Sequence, residues 1–109
     1  MKQTLKFELE LDDNNLPLNI EMHASDDAAN EKEIKALMVS AWAAKTKETL
    51  RIDLWTKDMT VNEMFIMYHQ TMMGMAVTLE RATGHDKLAS ALRDYCEFFA
   101  EQTEIKGTK

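Results

Sequence analysis

The chain has one cysteine, Cys96, one proline, Pro17, and three glycines in 109 residues. A lone thiol excludes an internal disulfide, a zinc site made of several thiolates and a CxxC redox pair. Three glycines leave little with which to build a phosphate-cradling loop. No P-loop, dinucleotide-binding or GxSxG pattern occurs. No apolar run approaches the ~20 residues that span a bilayer. The N-terminus, Met-Lys-Gln-Thr-Leu-Lys-Phe-Glu, alternates charged and apolar residues and lacks a signal-peptide core. A cytoplasmic protein without membrane insertion is the expectation. Positive charge is also in deficit, with a net charge of −6 and a pI near 5.0. No basic stripe is visible, which argues against nucleic acid and anionic membranes as partners.

What is present reads as one domain, residues 1–109, with an ordinary 45% hydrophobic content and no repeat or low-complexity segment. Leu5, Phe7, Leu9 and Leu11 alternate with Lys6, Glu8, Glu10 and Asp12, the period of a half-buried strand. Asp13-Asn14-Asn15 is turn chemistry. Leu16, Leu18, Ile20 and Met22 then alternate with Pro17, Asn19, Glu21 and His23, completing a hairpin in which Pro17 sits at a strand start or on an edge.

Residues 26 to 30 are a small polar link. Asn30 with Glu33 has the pattern of a helix cap, and Ile34, Leu37, Met38, Ala41 and Ala44 share one helical stripe. Glu31 and Glu33 at its start and Lys45 and Lys47 at its end suit the macrodipole. A third strand follows at 49–56, with Leu50, Ile52 and Leu54 on the buried side and Arg51, Asp53 and Trp55 opposite. Thr60-Val61-Asn62-Glu63 is a capping box opening a long helix that stops at Thr83-Gly84. Asp86 can cap a last helix with Leu88, Ala91, Leu92, Tyr95 and Phe99 on one stripe. Gly107-Thr108-Lys109 is a tail. The predicted fold is α+β, β-β-α-β-α-α. A right-handed helical crossover brings the third strand beside the first, giving a three-stranded antiparallel sheet of order 2-1-3 with helices packed on one face.

Two surfaces draw attention. Arg51, Asp53 and Trp55 lie on the polar side of the sheet, where Trp beside Arg is typical of interface hot spots. The indole could instead tuck under the loop at Thr56–Asp58. On the long helix, Val61, Met64, Phe65, Tyr68, Met72, Met75 and Leu79 form the core stripe. Ile66, Gln70, Met73 and Val77 form a second stripe at the spacing of a short coiled-coil seam. Either the last helix covers it, or it is a self-association or partner surface.

Other constellations are weaker. Most of the methionines crowd between Met59 and Met75, and with His69 they could hold Cu(I). Methionine is, however, first a flexible filler of cores and binding surfaces. His23, His69 and His85 are scattered over strand, helix and loop, without metal-ligand spacing. Cys96, near Glu97 and Glu101, lacks the cationic setting of a nucleophile. No paired-acid cleft is suggested, so no catalytic residue, metal or cofactor is assigned.

The run from Arg51 to Met59 (Arg-Ile-Asp-Leu-Trp-Thr-Lys-Asp-Met), followed by Val61, Asn62, Glu63 and Met64, resembles the GldC family of gliding-motility proteins. So do His69-Gln70-Thr71, Leu79-Glu80-Arg81-Ala82-Thr83-Gly84 and Arg93-Asp94-Tyr95-Cys96-Glu97-Phe98-Phe99-Ala100-Glu101. The resemblance covers nearly the whole chain. It implies a small accessory protein of gliding Bacteroidetes-type bacteria, with no catalytic residues, metal or cofactor. The expected function is non-catalytic: binding another protein of the motility or secretion apparatus, with homodimerisation as a further option. The alternative is a small metal- or ligand-binding module that uses the Met-rich helix.

Overall fold

The computed structural model describes residues 1–25 and 30–105, so the polar link at 26–29 and the tail at Gly107–Lys109 lie outside the described residues. The chain is α+β, with five strands followed by two helices among the described residues. It divides into two compact units, Met1–Met59 and Thr60–Lys109.

In the first unit, β1 (Leu5–Leu11) and β2 (Pro17–Ala24) form the expected hairpin. The turn is held by Asp12: its Oδ1 accepts from the backbone N–H groups of Asn14 and Leu16 at 2.8 and 2.9 Å. Asn15 takes φ 62°, a left-handed conformation that asparagine tolerates. The ladder places Leu9 opposite Ile20 and Phe7 opposite Met22, then shifts register between Glu10 and Leu11. Leu11 therefore pairs with Pro17, leaving Leu18 unmatched. Pro17 is buried, while Leu16 and Leu18 are about half exposed, at 47% and 48%. The alternation through Leu16 and Leu18 predicted the reverse. A strict period of two cannot announce a bulge.

The predicted helix over 30–45 does not form. The segment is instead β3 (Glu31–Ile34) and β4 (Ala36–Ala43). β3 joins the free edge of β2, giving the order β1-β2-β3. β4 pairs with β5 (Glu48–Trp55) in a separate two-stranded antiparallel sheet. The predicted order 2-1-3 and its right-handed helical crossover are thus replaced by two antiparallel sheets. The reason is visible in Ala36-Leu37-Met38-Val39-Ser40-Ala41-Trp42-Ala43, which fits a helical stripe and a two-residue alternation almost equally. As a strand the segment pairs with β5 along its full length. Asn30 caps no helix; its Oδ1 accepts from the N–H of Ala24 at 2.8 Å, tying the link to β2.

In the second unit, α1 (Val61–Thr83) starts at the predicted capping box. Thr60 Oγ1 accepts from Glu63 N–H at 3.0 Å, and Glu63 Oε1 accepts from Thr60 N–H at 2.9 Å. It ends at Gly84, φ 71°, whose N–H donates to Glu80. α2 (Asp86–Thr103) is capped by His85, not Asp86: His85 Nδ1 accepts from Leu88 N–H at 3.2 Å. The helices meet through an edge-to-face Phe65–Phe99 pair at 6.0 Å and a 2.6 Å Arg93–Glu80 ion pair. Ala76, Ala89 and Cys96 are fully buried.

Candidate functional site

The β4–β5 hairpin is built from eight uninterrupted cross-strand pairs, from Ala36 opposite Trp55 to Ala43 opposite Glu48. Strand periodicity gives it two distinct faces. One carries Leu37, Val39 and Ala41 opposite Leu54, Ile52 and Leu50. The sequence predicts Leu50 and Ile52 to be buried; they are 60% and 54% exposed. The other face carries Met38, Ser40 and Trp42 with Trp55, Asp53 and Arg51. Arg51 donates to Ser40 Oγ and, through its second terminal nitrogen, to Asp53 Oδ1.

Trp55 is 56% exposed, so it does not tuck under the following loop. Thr56 is the residue buried there, with its hydroxyl donating to Asp58 at 2.6 Å and its N–H to Lys35 at 2.7 Å. The structure therefore brings Arg51, Asp53 and Trp55 together on one face, as predicted. It adds Trp42, 64% exposed at the far end of that face. The sequence does not single out Trp42, because its segment reads as a helix. The alternation of Met38, Ser40 and Trp42 against Leu37, Val39 and Ala41 is the signal that could have found it.

On α1, the predicted core stripe is only partly covered. Phe65, Met72 and Leu79 are half-buried, whereas Val61, Tyr68 and Met75 are exposed. The buried line is rotated toward Ala76. In the second stripe, Ile66 is half-buried, Gln70 is exposed, and Met73 and Val77 are 39% and 53% exposed. A groove of about 600 Å³ is lined by Thr71, Gly74, Met75, Thr78, Ala82 and α2's Leu92, among others, and includes no residue of this second stripe. A Cβ placed on Gly74 would meet nothing within 4 Å.

The sequence points to the Met-rich helix for metal ligands, but a group of three candidate ligands lies on the strands. His23 Nε2 is 3.1 Å from both Glu8 Oε1 and Glu21 Oε1, and the three could each offer one ligand atom. Glu8 and Glu21 sit directly opposite each other, an unfavourable pairing of like charges. Lys6 lies 3.7 Å from Glu8 and the His23 ring nitrogen is within hydrogen-bonding distance of both carboxylates, so these contacts account for the geometry. His69 Nδ1 is buried without a hydrogen-bond partner. Burial raises the Cys96 thiol pKa, the opposite of nucleophile activation. No described helix is long and apolar enough to cross a membrane.

These features define an α+β protein with open apolar faces. The sequence matches the family described as gliding motility-associated protein GldC-like over residues 17–105, and the chain belongs to that family. No curated protein and no solved structure matches it.

Proposed function

We propose that this chain is a non-catalytic, cytoplasmic accessory protein of gliding motility that acts by binding another protein of the motility or secretion apparatus. The observation that carries the reading is the exposure of large apolar side chains in ordered elements: Trp42 and Trp55 on the hairpin, Met73 and Val77 on α1. Patches of this kind on a small domain mark association surfaces. Membership of the GldC-like family supplies the process. Arg51, Asp53 and Trp55 form one candidate surface, and Ile66, Gln70, Met73 and Val77 the other.

The test is genetic and biochemical together. Deleting the gene in its own host should abolish or slow spreading, and a tagged wild-type copy should restore it and retain a motility component. Trp55→Ala and Met73→Asp/Val77→Asp copies should accumulate normally but lose that component from one surface or the other. Unimpaired gliding in the deletion strain would sink the proposal.

A second reading is a metal module using the Met-rich helix, favoured by the unpartnered Nδ1 of His69 near Met72 and Met73 in sequence. Elemental analysis of protein purified under reducing conditions separates the two. Stoichiometric copper that His69→Ala removes would favour the module.

A further inference from the structure

The open edge of β5 carries its own pairing code. Among the described residues β5 has one strand neighbour, β4, so its other edge presents unpaired backbone N–H and C=O groups. Natural edge strands are usually blunted by proline, a bulge, short length or an inward-facing charge. β5 is eight residues long, has no proline, pairs without a register shift and keeps Leu50, Ile52 and Leu54 together on one side. A two-stranded sheet is also at best marginal in water, whereas three or more strands with an apolar face are stable.

We propose that β5 pairs antiparallel with β5 of a second copy, about a twofold axis through Ile52, making a four-stranded sheet β4-β5-β5-β4. This rests on the reading of the chain as a binding protein and assigns the occupant of one of its surfaces. Symmetry makes the registers few, and charge chooses between them. Centred on Ile52, Arg51 stands opposite the second copy's Asp53, and Asp53 opposite its Arg51. Leu50 faces Leu54, Ile52 faces Ile52, and Thr49 faces Trp55. Centred on Arg51 or on Asp53, the same strand would set like charges directly against each other, which is unfavourable.

Arg51 and Asp53 are 49% and 43% exposed and already lie beside one another, so the dimer joins two ready ion pairs into a four-charge cluster. The pairing extends the Leu50–Ile52–Leu54 row into one continuous apolar face across both copies. β4 has no charged residue between Ala36 and Ala43 and therefore no such code. β1, the other long outer strand, could set Lys6 against Glu8 about a twofold through Phe7, but its face also holds Glu10 and Glu21, so joining two copies there would gather more acids than bases.

Charge reversal and rescue test the proposal on the full chain. In sedimentation equilibrium the wild type should dimerise. Asp53→Arg should raise the dimer Kd at least about tenfold, because each lost pair and each new repulsion counts twice by symmetry. Arg51→Asp should do the same. The double variant Arg51→Asp/Asp53→Arg should restore the wild-type Kd. Circular dichroism should be unchanged throughout, since both positions are exposed. As a check on register, Ile52→Cys should give a disulfide-linked dimer on mild oxidation, because facing residues in antiparallel strands lie within disulfide reach. Leu50→Cys should not, and buried Cys96 should stay inert. A monomeric wild type, a double variant as weak as the singles, or disulfide linkage of Leu50→Cys or of a Phe7→Cys variant in place of Ile52→Cys would overturn the proposal. A monomer that still retains its motility component would remove the self-pairing and leave the proposed function standing.

Discussion

Asp12 illustrates how much one side chain can organise. Its Oδ1 closes the β1–β2 turn, while its Oδ2 receives Lys57 Nζ at 2.9 Å, joining that turn to the segment just after β5. The Lys57 hydrogen bond, the N–H of Leu16 and then that of Asn14 hold its pKa down to about 2 from an ordinary 3.8. A carboxylate with a depressed folded pKa contributes stability above its unfolded pKa and loses that contribution as pH falls through the folded one. Asp12→Asn should therefore be less stable than the wild type at pH 7, with the gap closing between about pH 4 and pH 2. Urea titrations at a series of pH values would show it, and a gap independent of pH would refute the assignment. Trp55 makes the opposite case. Because more than half of it is exposed, Trp55→Ala should cost less than about 1 kcal/mol in urea unfolding, against the ~3–5 kcal/mol of a core aromatic.

Among the elements, α1 is legible almost to the residue because its signals are local: a reciprocal cap at Thr60 and Glu63 and a left-handed glycine at Gly84. The β1–β2 hairpin was legible for the same reason, through alternation and the Asp-Asn-Asn turn. The β4–β5 hairpin was not. Its turn, residues 44–47, has neither glycine nor asparagine, and the left-handed position falls to Lys47 at φ 60°. The punctuation that normally separates two strands is absent, and Lys45 and Lys47 instead imitated the cations of a helix C-terminus. The candidate site was half legible as a result. Strand alternation puts Arg51, Asp53 and Trp55 on one face, as the β4–β5 register does, but Trp42 lies in a segment that also fits a helix. Gly74 offers a test at this scale. A mid-helix glycine with empty space where Cβ would stand should be improved by Ala, by up to about 1 kcal/mol. Thermal denaturation should show a rise of several degrees for a chain of this size. If the groove beside Gly74 takes a partner, the same variant should bind it less tightly while being the more stable protein.

For the molecule as a whole, the few fully buried apolar residues among those described are small or medium in size: Ile20, Ala76, Ala89 and Cys96. Large apolar residues such as Leu50, Ile52, Val61, Met75 and Phe98 remain more than half exposed. Stability should accordingly be linked to association. The Tm should climb with protein concentration by mass action, and Asp53→Arg should flatten that dependence. A Tm constant over a hundredfold concentration range would mean that the exposed surface gains nothing from a second copy.

The unblunted strand edge also has a cellular consequence. If β5 is covered on association, a copy left alone displays an eight-residue template to proteases and to other unpaired strands, and surplus chains should be the first removed. The abundance of this protein should then follow that of whatever it assembles with, matching supply to demand without any dedicated regulator.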